Sequence, residues 1–231
     1  MKGGAQVKII SRGAIALLIL LSVPVIYGQD LSKYRTFSLG TTLADLSKQL
    51  EPDSYKTKTT LIHQRPAVIQ EMSFWVMGRS SSEDKADSVS EILFSFYNGT
   101  LYRILVIYDQ KATEGLTAED MVQAVSAQYG TATRPKTDIS FPTKASYESK
   151  EKIIARWEDS QNSVNLFHSG TLDSFGLVLL SKRLDAEAEA AIIESVKLEK
   201  EEAPQKEIEH QKKEADDLEV ARQKNKKTFR P

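Results

Sequence analysis

The sequence predicts an α+β fold: two tandem helix-plus-antiparallel-sheet repeats, followed by a C-terminal helix and a charged tail. Three observations carry this. Two threonine-capped helix starts recur 75 residues apart, each followed by strand-like apolar runs. Asn98-Gly99 separates two of those runs, and this pair is the strongest two-residue hairpin signal because both positions tolerate positive φ. Composition then shifts near Asp185, beyond which 47 residues hold 13 acids and 10 bases.

The chain opens with Lys2, Lys8 and Arg12 and has no acid before Asp30. Gly13–Tyr27 carries no charge and as a helix would span about 22 Å, short of a bilayer core of about 30 Å. A basic flank, a short apolar stretch and a small residue near its end describe a secretory signal peptide over residues 1–28. Cleavage is expected after Gly28, making Gln29 the mature N-terminus, with an uncleaved anchor as the alternative. The expected location is therefore periplasmic or extracellular.

The globular part is expected over residues 29–184. In its first repeat, about 36–109, Thr42 and Asp45 form a capping pattern ahead of Leu43, Leu46 and Leu50 at helical spacing. Strand-like runs follow at 72–76, 91–97 and 100–108, the last two closed by the Asn98-Gly99 turn. Asn98-Gly99-Thr100 also fits a glycosylation sequon, read here as hairpin chemistry first. In the second repeat, about 115–182, Thr117 and Asp120 cap a helix bearing Met121, Val122 and Val125, and Gly130 stops it. Runs at 152–157, 163–168 and 175–181 supply its strands. Residues 131–150 hold two prolines and no sustained period, so they read as a loop with Phe141 and Tyr147 as its sizeable apolar side chains. A helix is expected over 185–203 and a charged, disordered tail over 204–231, because apolar residues become rare beyond Pro204.

Strict alternation along the Asn98-Gly99 hairpin puts Phe94, Phe96, Leu101, Leu105 and Ile107 on one face. Leu93, Tyr97, Tyr102, Ile104, Val106 and Tyr108 fall on the other. Both faces are apolar, so both must be covered. The second repeat or the C-terminal segment could cover the second face, and so could a partner protein with aromatic anchors.

Near-neutral charge, 31 bases against 32 acids, argues against a nucleic-acid binder. The absence of cysteine removes disulfides, thiolate nucleophiles, cysteine metal sites and lipid attachment through an N-terminal cysteine. Ser82 and Lys85 match a serine–lysine spacing, but they sit in a run of serines and charges with no apolar stripe to desolvate the lysine. His63 and His168 have no second histidine at metal-ligand spacing, and adjacent Glu158 and Asp159 point apart on a strand. No glycine-rich phosphate loop occurs.

Gly40–Leu50 with Phe94–Tyr108, and Gly115–Gly130 with Trp157 and Phe175–Leu180, resemble the superfamily of the β-lactamase inhibitor protein. The outer-membrane assembly lipoproteins of the SmpA/OmlA type share its fold. The resemblance spans roughly 36–182 and implies an exported domain that binds proteins across a sheet surface without catalysis. The chain departs from the lipoproteins in lacking the acylated cysteine, which removes direct lipid anchoring.

These readings converge on a non-catalytic protein-binding module of the bacterial cell envelope, using no cofactor and no metal. Its binding residues are expected to be Phe141, Tyr147, Tyr97, Tyr102 and Tyr108. Membrane contact is expected only through an uncleaved signal or the basic end at Lys224, Lys226, Lys227 and Arg230. The alternatives are a secreted hydrolase using acids and His168, and a structural envelope protein tethered by its tail or N-terminal anchor.

Overall fold

A computed structural model describes residues 29–76, 87–140, 150–170, 173–228 and 230. The expected signal segment with Gly28, the Ser82–Lys85 pair, and Phe141 and Tyr147 lie outside the described residues. The described chain is α+β. A two-residue ladder of β1 (Lys33–Tyr34) and β2 (Phe37–Ser38) leads into α1 (Leu43–Gln49), a 3-10 turn and β3 (Thr57–His63). Then come β4 (Ile69–Trp75), β5 (Val89–Tyr97), β6 (Thr100–Tyr108) and α2 (Ala118–Tyr129). β7 (Asp138–Ser140), β8 (Lys150–Glu158), β9 (Asn162–Ser169), β10 (Ser174–Ser181) and α3 (Lys182–Thr228) complete the order.

The helices begin where the capping residues dictate. The Asp45 and Asp120 amides donate to the Thr42 and Thr117 hydroxyls at 3.1 and 3.2 Å. At α2 the box is reciprocal, the Thr117 amide donating to Asp120 at 2.8 Å, so two orphan donors of the first turn are satisfied. Leu46, Met121, Val122 and Val125 are buried, as their helical spacing requires. Asn98 and Gly99 adopt φ of 47° and 78°, the left-handed pair that a two-residue hairpin needs.

β3 to β10 form one antiparallel sheet in the order β3-β4-β5-β6-β10-β9-β8-β7, so the last strand of each half meets at the centre. Each half is a helix followed by four strands, one more than the sequence predicts. The added strands, β3 and β7, form the two sheet edges. α1 and α2 share one face of this sheet, over a core that includes Phe94, Phe96, Ile104, Trp157 and Leu177. The N-terminal part of α3 lies on the other face against Ile62, Ile69 and Tyr102. Leu93, Leu105, Phe167 and Val178 belong to a further buried cluster on that second face.

Strict alternation misassigns half of β6. Phe96 pairs with Leu101 but Ser95 pairs with Arg103, so Tyr102 is an extra residue that flips the parity beyond it. Ile104 and Val106 therefore face α1 and α2, while Leu105 and Ile107 turn to the second face, the reverse of the expected partition.

The C-terminal segment also differs from expectation. The sequence predicts a helix ending at 203 and a disordered tail, whereas α3 runs on through Pro204 to Thr228. Proline removes one intrahelical hydrogen bond. At this exposed point water can take up the freed carbonyl, and the flanking Glu, Lys and Gln residues favour helix. Every residue of 203–228 is exposed, a free length of about 39 Å.

Candidate functional site

The second face carries a polar row inside an apolar sheet. Glu71 pairs with Ser95, and Ser95 pairs with Arg103, so three strands place these side chains in line. All three are buried, Arg103 being 3% exposed and Glu71 2%. A guanidinium cannot be left uncompensated at such a depth. α3 supplies the counter-charge. Arg103 Nε and Nη2 lie 2.8 and 2.6 Å from Asp185 Oδ1, and Nη2 lies 3.7 Å from Glu189. The bulge at Tyr102 is what lets Tyr102 and Arg103 both address the helix.

Burial dominates the proton affinities here. Glu71 is pushed up to about 7, chiefly by desolvation, while the Ser95 hydroxyl and the Arg103 charge pull it partly back. Ser95 donates to Glu71 Oε1 at 3.3 Å, and Glu71 Oε2 has no hydrogen-bond partner among the described residues. Asp185 is raised by burial against the pull of Arg103, and Glu189 is raised by burial and by the Asp185 charge.

α3 crosses the sheet obliquely from this pair toward β3. Ala188 and Ile192 pack on Ile62, Ile69 and Tyr102, with Tyr97 and Leu184 at the margin. At the far side, His63 Nδ1 lies 2.8 Å from Ser195 Oγ and 3.3 Å from Glu199 Oε1. Just beyond, Arg65 makes a forked contact with Glu202 at 2.8 and 2.9 Å. Ionic and hydroxyl contacts thus hold both ends of the docked segment, with apolar packing between them. After Glu202 the side-chain pairs of the described helix run within the helix itself, as from Lys206 to Glu202 and from Gln211 to Glu207.

This geometry locates the sequence-derived aromatic residues. Tyr102 lies beneath α3, and Tyr97 is half-buried beside it. The chain's own C-terminal helix therefore covers this part of the second face. Tyr108 sits on the opposite, α2-bearing face near Tyr34, where burial raises its hydroxyl pKa. Gln29 is exposed, and its side chain reaches Gly130 at the end of α2. The buried Arg103, Glu71 and Asp185 were not singled out from sequence. A lone arginine inside the apolar run of β6 is the signal that could have marked them.

His168 lies in an open cleft of about 520 Å³ between the β9–β10 turn and the loop from Gln110 to Leu116. It stacks edge-on against Phe175 at 4.9 Å and stands 3.8 Å from Asp173. Ser174 also borders the cleft, and its buried Oγ lacks a partner among the described residues. The register places Ser174 opposite Ser169 and His168 opposite Phe175, so the two side chains project to opposite faces of the sheet. A serine–histidine couple cannot form from them without breaking the ladder. Among the described residues, no group of three or more His, Asp or Glu side chains could hold a metal ion. No described helix is long and apolar enough to cross a membrane. The chain matches no family model, no curated protein and no solved structure.

Proposed function

We propose that the chain is an exported, non-catalytic protein-binding module of a bacterial cell envelope, in which the sheet domain is a base and α3 an arm that reaches a partner. The observation that carries this reading is the two-part character of α3. Residues 182–202 are fixed by a buried ion pair and apolar packing, whereas residues 203–228 are all exposed. A free helix of this length gains nothing from tertiary packing, which supplies most helix stability in folded proteins. Its own side-chain pairs, such as Gln211 to Glu207 at 2.8 Å, keep it ordered and leave Ile208, Leu218 and Val220 exposed along it. An ordered, projecting surface of that kind suits contact with another protein.

A second reading is favoured by the cleft around His168 and Asp173: a hydrolase acting on a small substrate. One experiment separates the two. A photo-reactive side chain placed at Leu218, with another at Lys111 beside the cleft, is exposed to the host envelope fraction. The arm reading expects discrete adducts from position 218 that an excess of the unlabelled full chain competes away. Absence of adducts at 218, together with esterase or amidase turnover abolished by His168→Ala, would replace it with the hydrolase.

A further inference from the structure

We propose that the outer edge of β3 is a docking edge for an extended, acidic segment of a partner protein, which joins the sheet as an additional strand beside the overhang of α3. The proposal rests on the binding-module reading and names its partner class. β3 ends the sheet order and, among the described residues, pairs only with β4, while the opposite edge, β7, has three residues. Along β3 the four consecutive residues Lys58, Thr59, Thr60 and Leu61 are exposed, and Leu61 retains 53% of its surface. Protein edges are ordinarily blunted by proline, by several charges, by a bulge or by a cover. Thr57–Ile62 has no proline and a single charge, and the irregularity in its register falls at the far end, between Leu61 and His63. Three threonines and an isoleucine in this stretch favour extended backbone.

Charge selects the occupant. No acid occurs from Ser54 to Gln70, while Lys56, Lys58 and Arg65 do. Lys56 is held by Asp53 and Arg65 by Glu202, which leaves Lys58 without an ion pair among the described residues. Alternation from buried Ile62 puts Lys58 on the α3 side of the sheet. That helix passes over Ile62 and His63 and then runs beyond the edge, with Lys206 one turn past Glu202. A strand added about 4.8 Å outside β3 would lie next to this overhang. Acids on one of its faces would meet Lys58, whereas Lys206 on the overhang is already held by Glu202 at 2.9 Å. A second copy of β3 would instead bring a like-charged strand with no acid of its own, which disfavours self-pairing.

The test uses the full chain and a labelled short peptide of alternating glutamate and valine, read by fluorescence anisotropy. Binding is expected, and it should weaken about tenfold or more for the lysine–valine counterpart and for the Lys58→Glu variant. The same loss is expected for the glutamate–valine peptide N-methylated at alternate residues, because it cannot complete a ladder. Lys58 is exposed, so circular dichroism should be unchanged by its substitution. Failure to bind, equal binding of the N-methylated peptide, or indifference to Lys58→Glu would each overturn the proposal. A dimer in sedimentation that Lys58→Glu abolishes would overturn it in favour of self-pairing. Adducts from position 218 with no peptide binding would remove the edge and leave the arm; absence of both would remove both.

Discussion

Arg103 and Asp185 lie 82 residues apart in the chain and form a buried ion pair at 2.6 Å, linking the centre of the sheet to the first turn of α3. The pair does more than hold two elements together. It fixes where the helix starts across the second face, and so where its free end emerges. Its position also explains why a strand as apolar as β6 contains an arginine. The helix cannot settle on the sheet in another register without stranding that charge.

Asp185→Ala should therefore be costly although it removes only a small side chain. It leaves Arg103 buried with Glu189 alone as a more distant α3 carboxylate, 3.7 Å away. Breaking a buried pair from one side typically costs about 3 kcal/mol or more. Urea unfolding should show that loss, and hydrogen exchange should show the first turns of α3 opening before the sheet. A change under about 0.5 kcal/mol would mean that the pair is solvated and does not clamp the helix.

Glu71 predicts a pH dependence of definite sign. Its carboxyl is raised from 4.5 to about 7 in the fold, so the folded state prefers the proton. Its contribution is fully present below about 4.5, is lost as pH rises to about 7, and changes no further above that. Glu71→Gln keeps an acceptor for the Ser95 hydroxyl and cannot ionise. The variant should be more stable than the parent at pH 8, by on the order of 2 kcal/mol, with the advantage gone near pH 4. Thermal melts across that range decide it. A constant difference at all pH values would show that Glu71 does not titrate as its burial requires.

The features legible in the sequence were those set by local chemistry. Thr42, Thr117, Gly130 and Asn98-Gly99 each act within a few residues of themselves, and each sits where capping and turn rules place it. The strands with continuous apolar runs were legible for the same reason. β3 was not, because an edge strand buries little. Its TKTTLIH has no alternation to read, and only Ile62 and His63 are buried in it. The parity of β6 was hidden as well, since the bulge at Tyr102 is set by pairing with β5 rather than by residues within β6. The polar row of Glu71, Ser95 and Arg103 exists only once three strands are in register. Helix propensity carried α3 past Pro204, where a proline-based stop underestimated the flanking residues.

Gly176 tests the packing of the second face. A Cβ at this position would fall 2.2 Å from Phe167 Cζ and within 2.8 Å of its neighbours in the ring. Phe167 is 1% exposed, so the ring has little room to withdraw. The φ of Gly176 is not positive, so contact and not backbone strain sets the requirement. Gly176→Ala should cost about 2 kcal/mol or more in denaturant unfolding. In a Phe167→Leu background the same change should cost about half as much or less, since the ring is the obstacle. Additive effects would place the strain elsewhere.

Two truncations separate the docked and free parts of α3. Removing residues 204–231 takes away only exposed residues among those described, so the melting temperature should stay within about 2 °C of the parent. Removing everything from Asp185 onward takes the Asp185 and Glu189 carboxylates from Arg103 and uncovers Tyr102, Ile69 and Ile62. The lost ion pair and the newly wetted apolar patch should then lower the melting temperature by about 10 °C or more, or leave the sheet unable to fold. Adducts formed from the arm would be lost in both variants, so stability and capture separate only in the shorter deletion. If the two deletions melted alike, the boundary near residue 203 would be wrong. The arm would then have to be packed on the domain instead of projecting from it.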